Sequence, residues 1–184
     1  MKLPLKTTVT AIALLFSAGS MAVESTLPIQ FQWQGIIPLA PTTTGSWKYV
    51  DPVTGADYVA SMGVLDISGG SVKRVLPTPV QIGLKANTGG TFTASTNIKA
   101  FLATQPTYVG LTGTAPAATP TIYVNGVTLV EGAANAVTVG NTGATPSNII
   151  PLTITGNGQL AAGTYSDGDA VILTASLMMT ADIT

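Results

Sequence analysis

Apolar residues in this chain alternate with a period of two, and turn residues interrupt every run. Thr, Val, Ala and Gly dominate, and short apolar stretches are separated by Gly, Pro, Asn and Ser. Strand side chains point to opposite faces in turn, whereas a helix repeats its apolar face every three to four residues. The pattern therefore predicts an all-β sandwich or barrel. The clearest local unit is TIYVNGVTL, residues 121–129, in which Ile122 and Val124 lead into Asn125-Gly126 and Val127 and Leu129 lead out. Both central residues of a type I′ turn need positive φ, which Asn and Gly tolerate, so this spacing predicts a two-residue hairpin. A second Asn-Gly, Asn157-Gly158, follows IIPLTIT and predicts another turn.

Extended runs are also expected within YVASMGVLDIS (58–68), SVKRVLPTPVQIGLKA (71–86) and GTFTAST (90–96). NIKAFLATQ (97–105) reads as a short helix or a loop segment, and 42–46 and 111–120 read as loops. Lys73-Arg74 lies in an apolar neighbourhood, where an exposed charged pair is expected to guard a sheet edge against aggregation rather than to bind a ligand.

The most regular alternations lie near the two ends. In LPIQFQWQ, Leu27, Ile29, Phe31 and Trp33 fall on one face, and Pro28, Gln30, Gln32 and Gln34 on the other. Pro28 cannot donate to a ladder, so it is expected at the start of the strand or with its missing N–H directed away from the partner. In GDAVILTASLMMTADI, Val171, Leu173, Ala175, Leu177 and Met179 share one face, opposite a mixed set. The run from Ala170 to Ala181 is too short to span a membrane as a helix.

Ahead of the first strand, Lys2 and Lys6 precede an apolar run from Val9 to Phe16. Small residues follow, with Ser20 and Ala22 at the −3 and −1 positions of a cleavage site. This is the layout of a secretory signal peptide. Cleavage after Ala22 removes 22 of 184 residues and leaves 162, enough for one domain with a full core. Removing Lys2 and Lys6 from the seven basic residues leaves five against eight acidic ones, with no basic stripe for a nucleic acid. The chain has no cysteine and no histidine. Disulfides are thus excluded, together with the usual zinc ligands and every Ser-His or Cys-His arrangement. SDGDA (166–170) lacks the further oxygen ligands and closing Glu of an EF-hand, and reads as a solvated turn before a strand. Neither catalysis nor a cofactor is expected.

Both ends resemble a known family. LAAGTYSDGDAVILTASL (160–177) is similar to the C-terminal pattern of chaperone–usher pilins, in which a small-Gly-x-Tyr turn precedes the last alternating strand. IQFQWQGIIPLAPTTTGSWKYV (29–50) more specifically resembles the major pilins of the coli surface antigen five group, the colonisation-factor fimbriae of enterotoxigenic bacteria. Those pilins also show a Trp-Gln-Gly followed by an apolar pair, prolines and a Trp. The hairpin IYVNGVTLVEG and the ending MMTADI fit the same group. Residues 51–95 carry little of the resemblance, and the absence of cysteine sets the chain with the members that lack a disulfide.

The resemblance implies an incomplete immunoglobulin-like β-sandwich completed by a donor strand from a neighbouring subunit. A periplasmic chaperone would lend a strand, and an outer-membrane usher would exchange it for the next subunit's N-terminal extension. The implied division is a signal peptide (1–22), a donor-strand extension (23–37) and a pilin domain (38–184). Leu27, Ile29, Phe31 and Trp33 would be the donor anchors. Gly35 would fill a shallow pocket or begin the linker, which Pro38 and Pro41 would stiffen. The strand carrying Val171, Leu173, Ala175, Leu177 and Met179 would form a groove wall and pair with the chaperone. The implied function is that of a structural subunit of a bacterial surface fimbria. It would be exported through the periplasm, polymerise head to tail with identical or related pilins, and support adhesion to host cells.

The alternative is an adhesive subunit binding a host receptor glycan directly. Its candidate aromatics, Trp47, Tyr49, Tyr58 and Tyr108, read more readily as packing residues. An outer-membrane barrel would need aromatic girdles, and only 6% of residues are aromatic.

Overall fold

The structure, a computed structural model, describes residues 25–32, 47–60, 63–86, 92, 97–143 and 147–181. Within them the chain is all-β. Its strands are β1 (Ser25–Gln32), β2 (Trp47–Val50), β3 (Leu65–Ser68), β4 (Lys73–Pro77), β5 (Val80–Ala86), β6 (Asn97–Val109), β7 (Thr121–Val124), β8 (Val127–Thr128), β9 (Val137–Asn141), β10 (Ile149–Leu160) and β11 (Ile172–Ala181). A 3₁₀ turn, Ala133–Asn135, precedes β9.

The strands form two antiparallel sheets. One has the order β1-β11-β6-β9; the other runs β2-β5-β10-β4-β3, with β7 added to β10 and β8 to β7. Buried residues from both join one core, including Leu102, Val139, Leu173 and Leu177 from the first and Trp47, Ile82, Leu152 and Ile154 from the second. With no disulfide available, this burial and the backbone ladders hold the fold together.

The hairpin at Asn125-Gly126 forms as its sequence dictates. Asn125 has φ 49° and Gly126 has φ 79°, and Val124 pairs with Val127 across the turn. The Asn125 side chain also ties the hairpin to its surroundings. Its amide donates to the Val139 carbonyl at 2.8 Å, and its Oδ1 accepts from the Thr153 N–H at 2.8 Å.

Asn157-Gly158 does not turn. Both lie inside β10, and neither has positive φ. β10 is the hub of its sheet, pairing with β5 through Ile149–Ile154, with β7 through Ile154–Asn157 and with β4 through Gly158–Leu160. These ladders, and the burial of Ile154 and Leu160 on either side, override the local turn preference. Glycine is needed at 158 for space, because a Cβ there would overlap the Tyr108 hydroxyl. That hydroxyl is buried without a hydrogen-bond partner, and burial pushes its pKa up to about 12. Gly158→Ala should therefore destabilise the fold by about 1–3 kcal/mol through overpacking. Tyr108→Phe should be close to neutral, since it removes an unsatisfied hydroxyl, and should recover most of the loss when combined with Gly158→Ala. Urea unfolding of the two single variants and the double variant measures the coupling.

Two further expectations need correcting. NIKAFLATQ is neither helix nor loop but the first part of the 13-residue strand β6. Its near-continuous apolar run hides the alternation because Ala100, Phe101 and Leu102 are all buried. Lys73-Arg74 does not sit at an edge, since β4 lies between β10 and β3. Lys73 instead donates to the Gly69 carbonyl at 3.2 Å and stands 5.7 Å above the Tyr165 ring centroid, joining the β3–β4 hairpin to the segment before β11.

The run 58–68 forms a strand only over Leu65–Ser68. The run 71–86 divides into β4 and β5 at Thr78-Pro79. From Val75↔Gly158 to Val80↔Ile154 this broken strand advances five residues against four in β10, a one-residue bulge at the proline. Of 90–96, Phe92 alone is described; it is fully buried and bridges to Ser147. The expected signal peptide (1–22), the expected loop 42–46 and the segment holding Trp33, Gly35, Pro38 and Pro41 lie outside the described residues.

Candidate functional site

The strand that organises the candidate site is β11. Its burial alternates as the sequence requires: Leu173, Ala175, Leu177 and Met179 are buried, while Ile172, Thr174, Ser176 and Met178 are partly exposed. Val171, expected in the same set, lies just before the strand and is half-buried. Thr180 and Ala181 extend the buried end.

On one flank β11 pairs with β6 from Ile172↔Val109 to Ala181↔Ile98. The ladder is irregular near Ser176: between Ile172 and Leu177, β11 advances five residues while β6 advances seven, from Val109 to Leu102. The extra residues of β6 lie between Thr107 and Leu102, a stretch that includes Pro106, which has no N–H to give a ladder. Beyond the irregularity the hydroxyls of Thr107 and Thr174 lie 3.0 Å apart in a cross-strand hydrogen bond.

On the other flank β11 pairs with β1. The ladder is antiparallel and unbroken for eight residues, from Ser25↔Ala181 to Gln32↔Thr174. Leu27, Ile29 and Phe31 have Met179, Leu177 and Ala175 as register partners, and all three partners are buried. Gln30 and Gln32 oppose Ser176 and Thr174. Cross-strand partners share a sheet face, so this register matches the apolar set of one strand to the apolar set of the other. A slip of one residue would oppose every apolar position with a polar one.

Among the described residues β1 is the edge strand of its sheet, and its ladder is with β11 alone. Pro28 is thus accommodated not at the start of a strand but on an edge strand, where half of the backbone N–H groups have no ladder to serve. Of the four anchors read from the sequence, three stand opposite buried positions of β11; Trp33 lies outside the described residues. β1 here pairs with the β11 of its own chain.

The turn into β11 is built around Asp169. Its carboxylate accepts the Ser166 N–H at 2.9 Å, the Thr112 N–H at 2.9 Å and the Thr112 hydroxyl at 2.7 Å. SDGDA is therefore a structural turn that also fastens the 111–120 loop. The Ser166 N–H, followed by the two Thr112 donors, holds the Asp169 carboxyl below the ordinary carboxylate range. A depressed folded pKa means that this contribution is present above the unfolded value of 3.8 and is lost as pH falls through the folded pKa. Asp169→Asn should accordingly lower stability at pH 6 and flatten the acid limb attributable to this group. Denaturation midpoints from pH 6 down to about 2 would check it, with identical acid limbs in the two proteins as the contrary result.

The aromatics that a glycan site would use pack in or against the core. Trp47 and Tyr49 are buried and pack edge to face at 5.2 Å. Tyr58 and Tyr108 are half-buried against the core. Two contributors escaped the sequence reading. Ala181 extends the buried end of β11 beyond Met179, and β6 supplies its second neighbour. For Ala181 the signal was present, since it continues the same alternation.

No protein-family model, curated protein or solved structure matches the chain.

Proposed function

We propose that the chain is a structural subunit of a bacterial surface fimbria, an incomplete immunoglobulin-like sandwich that polymerises when the N-terminal strand of one subunit adds to the β11 edge of the next. The observation that carries this reading is the β1–β11 ladder. A strand from one end of the chain adds to a strand from the other, with no other ladder holding it among the described residues and with apolar positions matched along its length.

A strand attached this way is chemically separable from the domain it completes. Main-chain hydrogen bonds supply affinity, and alternate side chains supply register, as in other cases of β-strand addition. When the strand comes from another subunit the contact is heterologous, and a heterologous contact that fails to close generates a filament. Release would expose β11 again, which makes such a joint long-lived. In this reading the extension is 23–37, with Leu27, Ile29, Phe31 and Trp33 as anchors. The free edge of β11, the strand whose core face carries Leu173, Ala175, Leu177 and Met179, receives it. A periplasmic chaperone covers that edge before the usher delivers the next subunit. Adhesion to host cells is then a property of the assembled fibre.

Negative-stain electron microscopy and size exclusion of the mature chain, with and without residues 23–37, test the proposal. Filaments or heat-resistant ladders that disappear on truncation are expected. A folded monomer that loses its structure on truncation, with no polymer at any concentration, would make β1 an ordinary strand of its own domain.

A further inference from the structure

We infer that β1 also acts as an internal stopper: in the unassembled subunit it occupies the β11 edge of its own chain, and assembly requires its displacement. The inference rests on the strand-addition reading and goes beyond it by naming the occupant of the edge before a neighbour arrives.

Three observations point this way. First, the intrachain ladder is complete: all eight residues of β1 pair, without a break, in the register that matches apolar to apolar. Nothing in the local chemistry distinguishes this seat from the one a neighbour would offer, because an identical subunit presents an identical β11. Second, the tether is short. Fourteen residues, 33–46, separate Gln32 from Trp47. A connection of that length keeps its strand at an effective concentration in the millimolar range. A second subunit at micromolar concentration competes at a disadvantage of about a thousandfold. Third, the stopper is removable. Among the described residues β1 is an edge strand laddered only to β11, whereas β11 is held on its far side by β6. Peeling β1 away breaks one ladder and leaves the rest of the sheet paired.

The consequence is a latch against premature polymerisation. A dilute subunit is closed and soluble, and a chaperone or an incoming extension must capture β11 while β1 is released. Growth then approaches a ceiling set by the opening rate of β1 rather than rising in proportion to subunit concentration.

Cysteine cross-linking separates the alternatives, because the chain has no native cysteine. Gln30→Cys with Ser176→Cys places thiols at register partners, whose Cα separation of about 4.5–5.5 Å in an antiparallel ladder lies within the reach of a disulfide. The full chain would be oxidised at about 1 µM, far below the millimolar local concentration, and run on a non-reducing gel. Thr26→Cys with Ser176→Cys, four residues out of register, is the control. The expected result is a fast-migrating, intrachain-linked monomer for the register pair and little cross-linking for the control, with the monomer giving way to ladders as concentration rises. Ladders at every concentration without the linked monomer would overturn the stopper while leaving strand exchange between subunits intact. Reduced monomer throughout would overturn both. Pro28→Cys with Met178→Cys, a second register pair, repeats the test should the first pair disturb folding.

Discussion

A chain lacking residues 23–34 is expected to lose most amide protection in β11 and to aggregate, and a synthetic peptide of residues 25–34 added in trans is expected to restore it as a soluble one-to-one complex. β11 has ladder partners on both flanks. Among the described residues, removing β1 leaves β6 as its one ladder partner and uncovers the flank of Ala175, Leu177 and Met179. Four large apolar anchors, at about 1.5–3 kcal/mol each on burial, amount to roughly 6–12 kcal/mol before ordering costs. A typical domain has a total stability of about 5–15 kcal/mol, so the loss is comparable to the whole. The exposed edge then recruits other chains. Hydrogen exchange should show at least a hundredfold faster exchange across β11 in the truncated chain and near-full recovery with the peptide. A peptide in which apolar and glutamine positions are interchanged should not rescue, because its apolar set would meet the wrong face. Parent-like protection in the truncated chain would remove the physical basis for strand exchange.

The parts of the fold that were legible in the sequence are those in which local chemistry and tertiary demand agree. Asn125-Gly126 turns because its own φ preference and the flanking alternation point the same way. The face of β11 was readable because one side of the strand is buried and the other is not. Asn157-Gly158 was misread for the opposite reason: the same dipeptide sits in a strand with three ladder partners, and Gly158 serves the Tyr108 ring rather than a turn. β6 was misread because burial of Ala100, Phe101 and Leu102 in succession erases the period of two. Lys73-Arg74 was misplaced at an edge because strand order within a sheet depends on pairings that one segment does not encode. The candidate site follows the same logic. Its strands and faces were readable from alternation, but their mutual register depends on two segments about 150 residues apart. That register becomes evident only when Leu27, Ile29 and Phe31 are set against Met179, Leu177 and Ala175.

The sharpest test of that register is a single charge moved by one residue. Phe31 pairs with Ala175, the smallest member of the buried set on β11, whereas Gln32 pairs with Thr174, which is partly exposed. Phe31→Asp removes the large partner and brings a carboxylate to an apolar position with no cation among the register partners of β1, at a cost of several kcal/mol if it remains charged. Each 1.4 kcal/mol is a factor of ten in an equilibrium, so strand addition should weaken by at least a hundredfold. Filament yield, measured by sedimentation, should fall accordingly. Gln32→Asp adds the same charge one residue along, at the polar position, and should change the yield less than threefold. Ala175→Phe provides the reciprocal probe from the other strand: it should block addition of the wild-type extension through overpacking, and Phe31→Ala should partly relieve the block. Equal losses for Phe31→Asp and Gln32→Asp would mean that the two faces of β1 are equivalent, and the register would then not be what selects the strand.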